Sequence, residues 1–453
     1  VRSVLGQSGV DPAGIGGVGI SSQAPSVVVV DTTGAPVRPA LLWLDRRGQP
    51  VCRQRADAAA AVVAATGNRL DAYFAAPKLA WLLAHEPEVR RAGSQVLMAN
   101  GYVVRRLTGA ATCDSGHLGL TLLGVLDTGE WSPDLLDLWG VPPGWLPPVA
   151  APTDVVGSVT ARAAEATGLL AGTPVVAGVV DGAAASLEAG LARHGDVCEM
   201  TGQSTVVNAA VEAKRLRRDR LGTLSVLPYP LPGHHLVYGS MVATGGILRW
   251  FRDEFGDHPS LAGSEPGDAF DALDALAATA EPGGGGLVLL PYFLGERSPI
   301  WDADARGALV GLSMGSRRAD VVRAILEGTA YGLAHNLEEL ERLGLRPDVI
   351  RAVGGGARGL TWTQIKADVT GVPIEVPREA RGAPVGAALV AAAGVGLVED
   401  LAGTVRSRSA EVLRRVEPDP ARQAVYRGYY AVYRDLYPAL RRTYDQLADL
   451  RTS

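Results

Sequence analysis

Four features of the 453-residue chain could do chemistry. Asp181 closes the apolar run TPVVAGVV (173–180) and opens the small-residue stretch GAAASLEAG. An acid at the carboxyl end of a buried strand lies where open α/β sheets place ligands. Its carboxylate can take a proton from a hydroxyl. Asp is equally suited to cap a helix, and position alone leaves both readings open. TGQST (201–205) reads as a hairpin turn whose backbone N–H groups can hold phosphate oxygens, or as an ordinary turn. Thr244-Gly245-Gly246, ahead of a helix from Ile247, offers a similar N-terminus. Gly354, Gly355 and Gly356 follow a short apolar run and precede a helix with Trp362, Ile365 and Val369 on one face. Strand, bare turn and helix bring main-chain N–H groups to a ligand, and glycines put no side chain in the way. A tight helix-entry turn is the plain alternative.

Two other patterns are set aside. Residues 14–19 fit G-x-G-x-x-G, but they follow Asp11-Pro12-Ala13 and lead into a strand, the reverse of the dinucleotide fingerprint. His234-His235 has no partner at ligand spacing. The chain contains no G-x-x-x-x-G-K-[ST] loop.

The elements that must position these groups alternate strand and helix. GGVGISSQ and SVVVVD read as short strands separated at Ala24-Pro25. Residues 50–65 and 78–85 read as helices, and 173–180 as one strand buried on both faces. DVCEM and TVVNAA form a hairpin around TGQS, with further strands near 235–239 and 287–290. Helices are expected over 247–255, 318–340 and 419–448; the last carries Tyr426, Tyr429, Tyr430 and Tyr433 as core or interface. GSEPGD and EPGGGG read as loops.

With 47% apolar and 20% charged residues, the chain suits a globular enzyme of two or three domains. The likeliest boundary falls at 190–195. Net charge is −5 and arginines are dispersed, so nucleic acid is not an expected partner. Three widely spaced cysteines and the lack of a basic-then-apolar leader point to the cytoplasm. The longest uncharged run, 382–398, is too short for a membrane span and reads as a buried helix.

Together these pieces resemble the FGGY family of carbohydrate kinases over nearly the whole chain. The most specific match is GALVGLSMGSRRADVVRAILE (307–327), which keeps Gly311, Asp320, Ala324 and Glu327. LPYFLGERSPIWDADARG (290–307) is similar to the family segment before it. YFAAPKLAWLLAH (73–85) keeps Lys78, Leu79 and Trp81 but departs at Ala75 and Ala84. GVGISSQ and LLWLDRRG resemble the sugar-contacting strands of xylulokinases and glycerol kinases.

The resemblance implies an α/β, two-lobed, actin-like ATPase (ribonuclease H-like) fold with ATP and sugar in the cleft. Residues 1–190 would be the sugar-binding lobe, incomplete at its start, and 191–453 the nucleotide-binding lobe. It implies Asp181 as general base and Gln23, Trp43, Asp45 and Tyr73 as residues lining or shaping the sugar pocket. Gly202, Gln203 and Ser204 would lie in a phosphate loop, Gly245 at a nucleotide contact, and Gly355, Gly356 and Arg358 in the adenosine motif. ATP and Mg²⁺ are the implied cofactors, with no residue assigned to the metal. A sugar or polyol is the implied partner, no membrane is expected, and a homodimer is left open.

Departures bear on substrate and activity. Ala24-Pro25 stands where those kinases carry Met-His or Arg-Glu, and Gly182 where they carry Asn or Gln. Neither xylulose nor glycerol is therefore assumed as substrate. Gln203 and Thr205 replace the usual Thr and Gly. The family's first phosphate loop, D-x-G-T-[ST]-x-x-[RK], has no counterpart after Val1, so a start upstream is expected. The alternative is a catalytically impaired sugar- or nucleotide-binding protein on the same scaffold.

Overall fold

Short strands fill the first half because its apolar runs are brief and punctuated by turn residues. The computed structural model describes residues 1–256, 266–378, 381–408 and 411–452. β1 (Ser21–Ser22) and β2 (Val27–Val30) are separated at Ala24-Pro25. The four valines of β2 are all buried, and β2 pairs antiparallel with β3 (Gln95–Met98). Between them, α1 (Ala75–His85) buries Lys78 completely; its ammonium donates to the carbonyls of Tyr73 and Phe74. Burial pushes that ammonium down to about 7. α2 (Ser115–Gly119) is capped by Asp114, which accepts from the His117 N–H at 3.1 Å.

The single strand expected over 173–180 is in fact two, β4 (Pro174–Val176) and β5 (Val179–Val180). Gly178 separates them at φ 97°, where a Cβ would stand 2.5 Å from the Ile20 carbonyl oxygen. β5 pairs parallel with β1. α3 (Asp181–Glu188) starts directly after it, with Val180 in the N-cap place. Asp181 is therefore the first helical residue and not the cap. Its Oδ1 accepts from the Gly182 N–H at 2.7 Å.

The second half is organised on one seven-stranded sheet. In chain order its strands are β6 (Val197–Thr201), β7 (Thr205–Glu212), β8 (Ser225–Pro228), β9 (His234–Met241), β12 (Ile350–Val353), β13 (Ile374–Pro377) and β14 (Val412–Val416). Across the sheet they run β8-β9-β7-β6-β12-β13-β14. The β6–β12 and β12–β13 pairs are parallel and the others antiparallel. A separate hairpin joins β10 (Val288–Leu290) and β11 (Ala308–Val310). Helices α6 (Arg318–Arg342) and α7 (Leu360–Thr370) pack on the seven-stranded sheet, and α4 (Gly245–Phe255), α5 (Pro266–Ala278) and α9 (Pro420–Thr452) pack against these two helices. α8 (Ala383–Gly394) instead packs on α3, so closely that a Cβ on Gly386 would lie 1.9 Å from the Ala184 carbonyl oxygen. Small residues on both helices permit that approach.

The loop expected at GSEPGD falls in part outside the described residues, and from Pro266 onward it is the start of α5. The most specific sequence match has an architectural role. Asp320, at the third position of α6, accepts from the Arg317 N–H at 2.8 Å and so caps the start of the helix. Fully buried Glu327 accepts from the Gly283 N–H, the Arg323 guanidinium and the Tyr426 hydroxyl, tying a glycine loop and α9 to α6. Gly311 sits at φ 102°, where a Cβ would be 2.2 Å from the Gly286 carbonyl oxygen. Tyr426 and Tyr433 are buried core residues of α9, as expected. Among the described residues no helix is long and apolar enough to cross a membrane.

Candidate active site

The hairpin turn between β6 and β7 stands between two cavities. Thr201 and Thr205 are its closing pair, and the Gly202 N–H donates to the Ser204 carbonyl at 2.8 Å. Gly202 and Gln203 line a cavity of about 260 Å³, whereas Ser204 lines a second of about 190 Å³.

The larger cavity is bounded by backbone-rich elements. Gly245 lies at the start of α4, where a Cβ would come 2.2 Å from the Gly202 carbonyl oxygen. The Thr244 and Gly246 N–H groups both donate to the Gln203 carbonyl. Gly355, Gly356 and Arg358 line the opposite wall. The glycines there are needed for a reason the sequence did not show. Gly354, at φ 83°, packs its Cα against the Thr201 carbonyl, and a Cβ on Gly356 would meet the Thr201 methyl at 2.4 Å. Two of the three glycines therefore seat the turn on β6, and only Gly355 has free space at its Cβ position, with Arg358 its nearest neighbour at 3.9 Å. A single 3₁₀ turn, Gly355–Ala357, also intervenes before α7. Asp274 of α5 escaped notice in the sequence. It accepts from the Thr361 and Trp362 N–H groups, capping α7, and lines the same cavity.

Beneath the turn runs a buried polar chain. Lys366 of α7 pairs with Glu199 of β6. Thr201 donates to the same carboxylate, the Thr201 and Thr205 hydroxyl oxygens lie 2.8 Å apart, and Thr205 donates to Thr244 at 3.0 Å. The chain locks together the three glycine-bearing segments around the larger cavity.

The smaller cavity collects Gln23, Trp43, Tyr73 and Asp181. It also takes Ser204, Asn208, Tyr238 and Arg297 from beyond the boundary expected near 190. The Tyr73 hydroxyl donates to the Ala24 carbonyl at 3.0 Å, so Tyr73 shapes the wall. Arg297 is 8% exposed and lies over the rings of Trp43 and Tyr73 at 5.2 and 4.7 Å, an arrangement favourable for a desolvated cation. It sits in the LGERSPIW segment, where spacing alone gave no sign of such a place. Asp45 lines neither cavity: its carboxylate accepts from the backbone and side-chain N–H groups of Arg47. Ser204 faces the smaller cavity and not the larger one, where the resemblance had put it. Burial pushes the Asp181 carboxyl above the usual aspartate value, against the Gly182 hydrogen bond and the charge of His117. A carboxyl raised by burial in a cleft marks a candidate functional group.

The 202–204 turn thus borders two cavities, one framed by glycine turns and helix starts and the other holding a carboxylate. The sequence matches the N-terminal domain of the FGGY family of carbohydrate kinases over residues 1–187 and the C-terminal domain over 200–395. The chain belongs to that family and has its two-lobed, actin-like ATPase fold. It is 30% identical over 442 residues to a xylulose kinase of Staphylococcus epidermidis, covering 96% of this chain and 84% of the relative. A glycerol kinase of Solidesulfovibrio magneticus is 32% identical over 413 residues, 87% of this chain and 79% of that one. The crystal structure of a xylulose kinase from Rhodospirillum rubrum superposes with a TM-score of 0.84 at 33% identity, covering 98% of this chain and 88% of that one.

Proposed function

We propose that the protein transfers the γ-phosphoryl group of ATP to a hydroxyl of a sugar or polyol, with Asp181 as general base. The observation that carries this reading is the turn at 202–204, which borders the glycine-framed cavity on one side and the Asp181 cavity on the other. ATP in the larger cavity supplies the phosphoryl group. In the smaller cavity the Asp181 carboxylate takes the hydroxyl proton as the oxygen attacks phosphorus and ADP leaves. Gln23, Trp43, Tyr73 and Arg297 hold the acceptor. The Gly202, Thr244 and Gly246 N–H groups are taken by the Ser204 and Gln203 carbonyls, so the Gln203, Ser204 and Gly245 N–H groups are the ones to meet phosphate charge.

Nucleotide kinases bring Mg²⁺ largely on the phosphates, with one or two protein carboxylates. Among the described residues no cluster of three or more His, Cys, Asp or Glu could cage a metal, and no step is assigned to a particular ligand. The three free, buried thiols fit a reducing cytoplasm.

The test is acceptor-dependent ADP release across a panel of ketoses and polyols, with at least one compound expected to raise it well above the acceptor-free rate. A flat response over the whole panel sinks the reading. The nucleotide side has its own check. Gly356→Val forces a side chain into Thr201 and should lower kcat/KM for ATP by about 10²-fold, because a shift of about 1 Å in a binding wall costs that much. The acceptor KM should be unchanged. An unaltered ATP dependence would remove this turn from the nucleotide site.

A further inference from the structure

Gly182 leaves the acceptor side of Asp181 without a neighbouring side chain, yet the space is not vacant. A Cβ built on Gly182 would have the Asn208 amide nitrogen as its nearest neighbour, at 4.0 Å. Asn208 belongs to β7, opposite Cys198 and Tyr238 in register. It is 1% exposed and lines the acceptor cavity together with Asp181 and Gly182. Among the described residues its amide nitrogen has two long contacts, 3.4 Å to the Gly182 carbonyl oxygen and 4.0 Å to the Cys198 sulfur. Both are at or beyond the range of a good hydrogen bond. A buried carboxamide left this poorly paired is costly unless something else pairs with it. Leu120, Val206, Leu227 and Leu236 form the apolar part of the wall, and Ser204, Tyr238, Ser240 and Arg297 its polar part.

We infer that Asn208 is an acceptor-binding residue: its carboxamide pairs with a substrate oxygen adjacent to the hydroxyl that Asp181 deprotonates. The inference rests on the reading of Asp181 as the base. It assigns to β7 a carboxamide that the helix start cannot supply. A carboxamide both donates and accepts, so the group it reads is a hydroxyl or carbonyl oxygen on the neighbouring carbon. The acceptor class is thereby narrowed to compounds oxygenated on two adjacent carbons. A plain polar spacer beneath α3 would have no such preference.

The test uses D-xylulose, glycerol and a set of C3–C6 ketoses and polyols, with calorimetric binding measured beside turnover. Asn208→Leu should weaken the bound acceptor by about ten-fold or more while leaving the ATP KM within about two-fold. Against an analogue lacking the adjacent oxygen, Asn208→Leu and the unsubstituted protein should be alike. The double variant Gly182→Asn/Asn208→Ala, which returns the carboxamide to the helix start, should recover most of the affinity. Should Asn208→Leu not fold, Asn208→Asp keeps the volume and should lose the acceptor through charge beside Asp181. An equal loss against both substrate and analogue, or no loss, overturns the role of Asn208. Acceptor binding that depends on Asn208 without any ADP release would instead overturn the kinase reading and leave this contact standing. Failure of every compound to bind overturns both.

Discussion

Replacing Asp181 by Asn should lower kcat by about 10³-fold, the usual contribution of a positioned general base, with ATP affinity unchanged. Asn keeps the shape and the contact with the Gly182 N–H but cannot take a proton. The measurement is steady-state turnover beside nucleotide titration. Full turnover by this variant would remove Asp181 from the mechanism. The pH dependence follows from burial, which raises the carboxyl above its ordinary value of 3.8. Only the ionised form can act as base, so the acidic limb of kcat/KM should lie above that value. The stability effect has the opposite sign from that of an ion-paired aspartate. In the unfolded chain the group ionises near 3.8, whereas the folded protein holds the proton to higher pH. Ionisation above the folded value therefore works against folding, and that penalty disappears as pH falls through it. Asp181→Asn should consequently raise Tm at neutral pH while abolishing turnover, as expected where function retains a destabilised group.

The second large effect is expected at Lys366. Its ammonium and the Glu199 carboxylate are both buried, at 3% and 0% side-chain exposure. Lys366→Met leaves the Glu199 charge without its partner and should destabilise the protein by about 3–5 kcal/mol in urea unfolding. The double replacement Lys366→Met/Glu199→Met should recover most of that loss, because a buried pair exchanged for apolar groups is often neutral. A cost under about 1 kcal/mol for Lys366→Met would show that the carboxylate finds another partner. Where Lys366→Met still folds, its ATP KM should rise. Thr201, bonded to both charges, is the surface on which Gly354 and Gly356 rest.

Neither charge of that pair stood out in the sequence. Lys366 and Glu199 are far apart in the chain and meet only because β6 and β12 are parallel neighbours and α7 follows β12. The same sheet brings Asn208 from β7 to the Asp181 cavity, and the segment after β10, which belongs to the separate hairpin, brings Arg297. Periodicity and turn chemistry are local signals, so they revealed the strands, the helices and the glycine turns. They could not reveal which distant side chains share a cavity. Local pattern also erred where one residue broke it: the apolar run 173–180 read as one strand, but Gly178 takes a positive φ and splits it.

The alternation of elements and the carboxylate that ends a buried strand were legible along the chain. Spacing and residue type are enough for these, since each depends on neighbours along the chain. Three-dimensional packing decided that Asp45 turns to Arg47, that Ser204 faces the smaller cavity and that Gly354 and Gly356 serve packing on Thr201. It also decided that a carboxamide reaches the space beside Gly182 from another strand. Those outcomes depend on which surfaces come within a few ångströms, and sheet order and helix docking fix that.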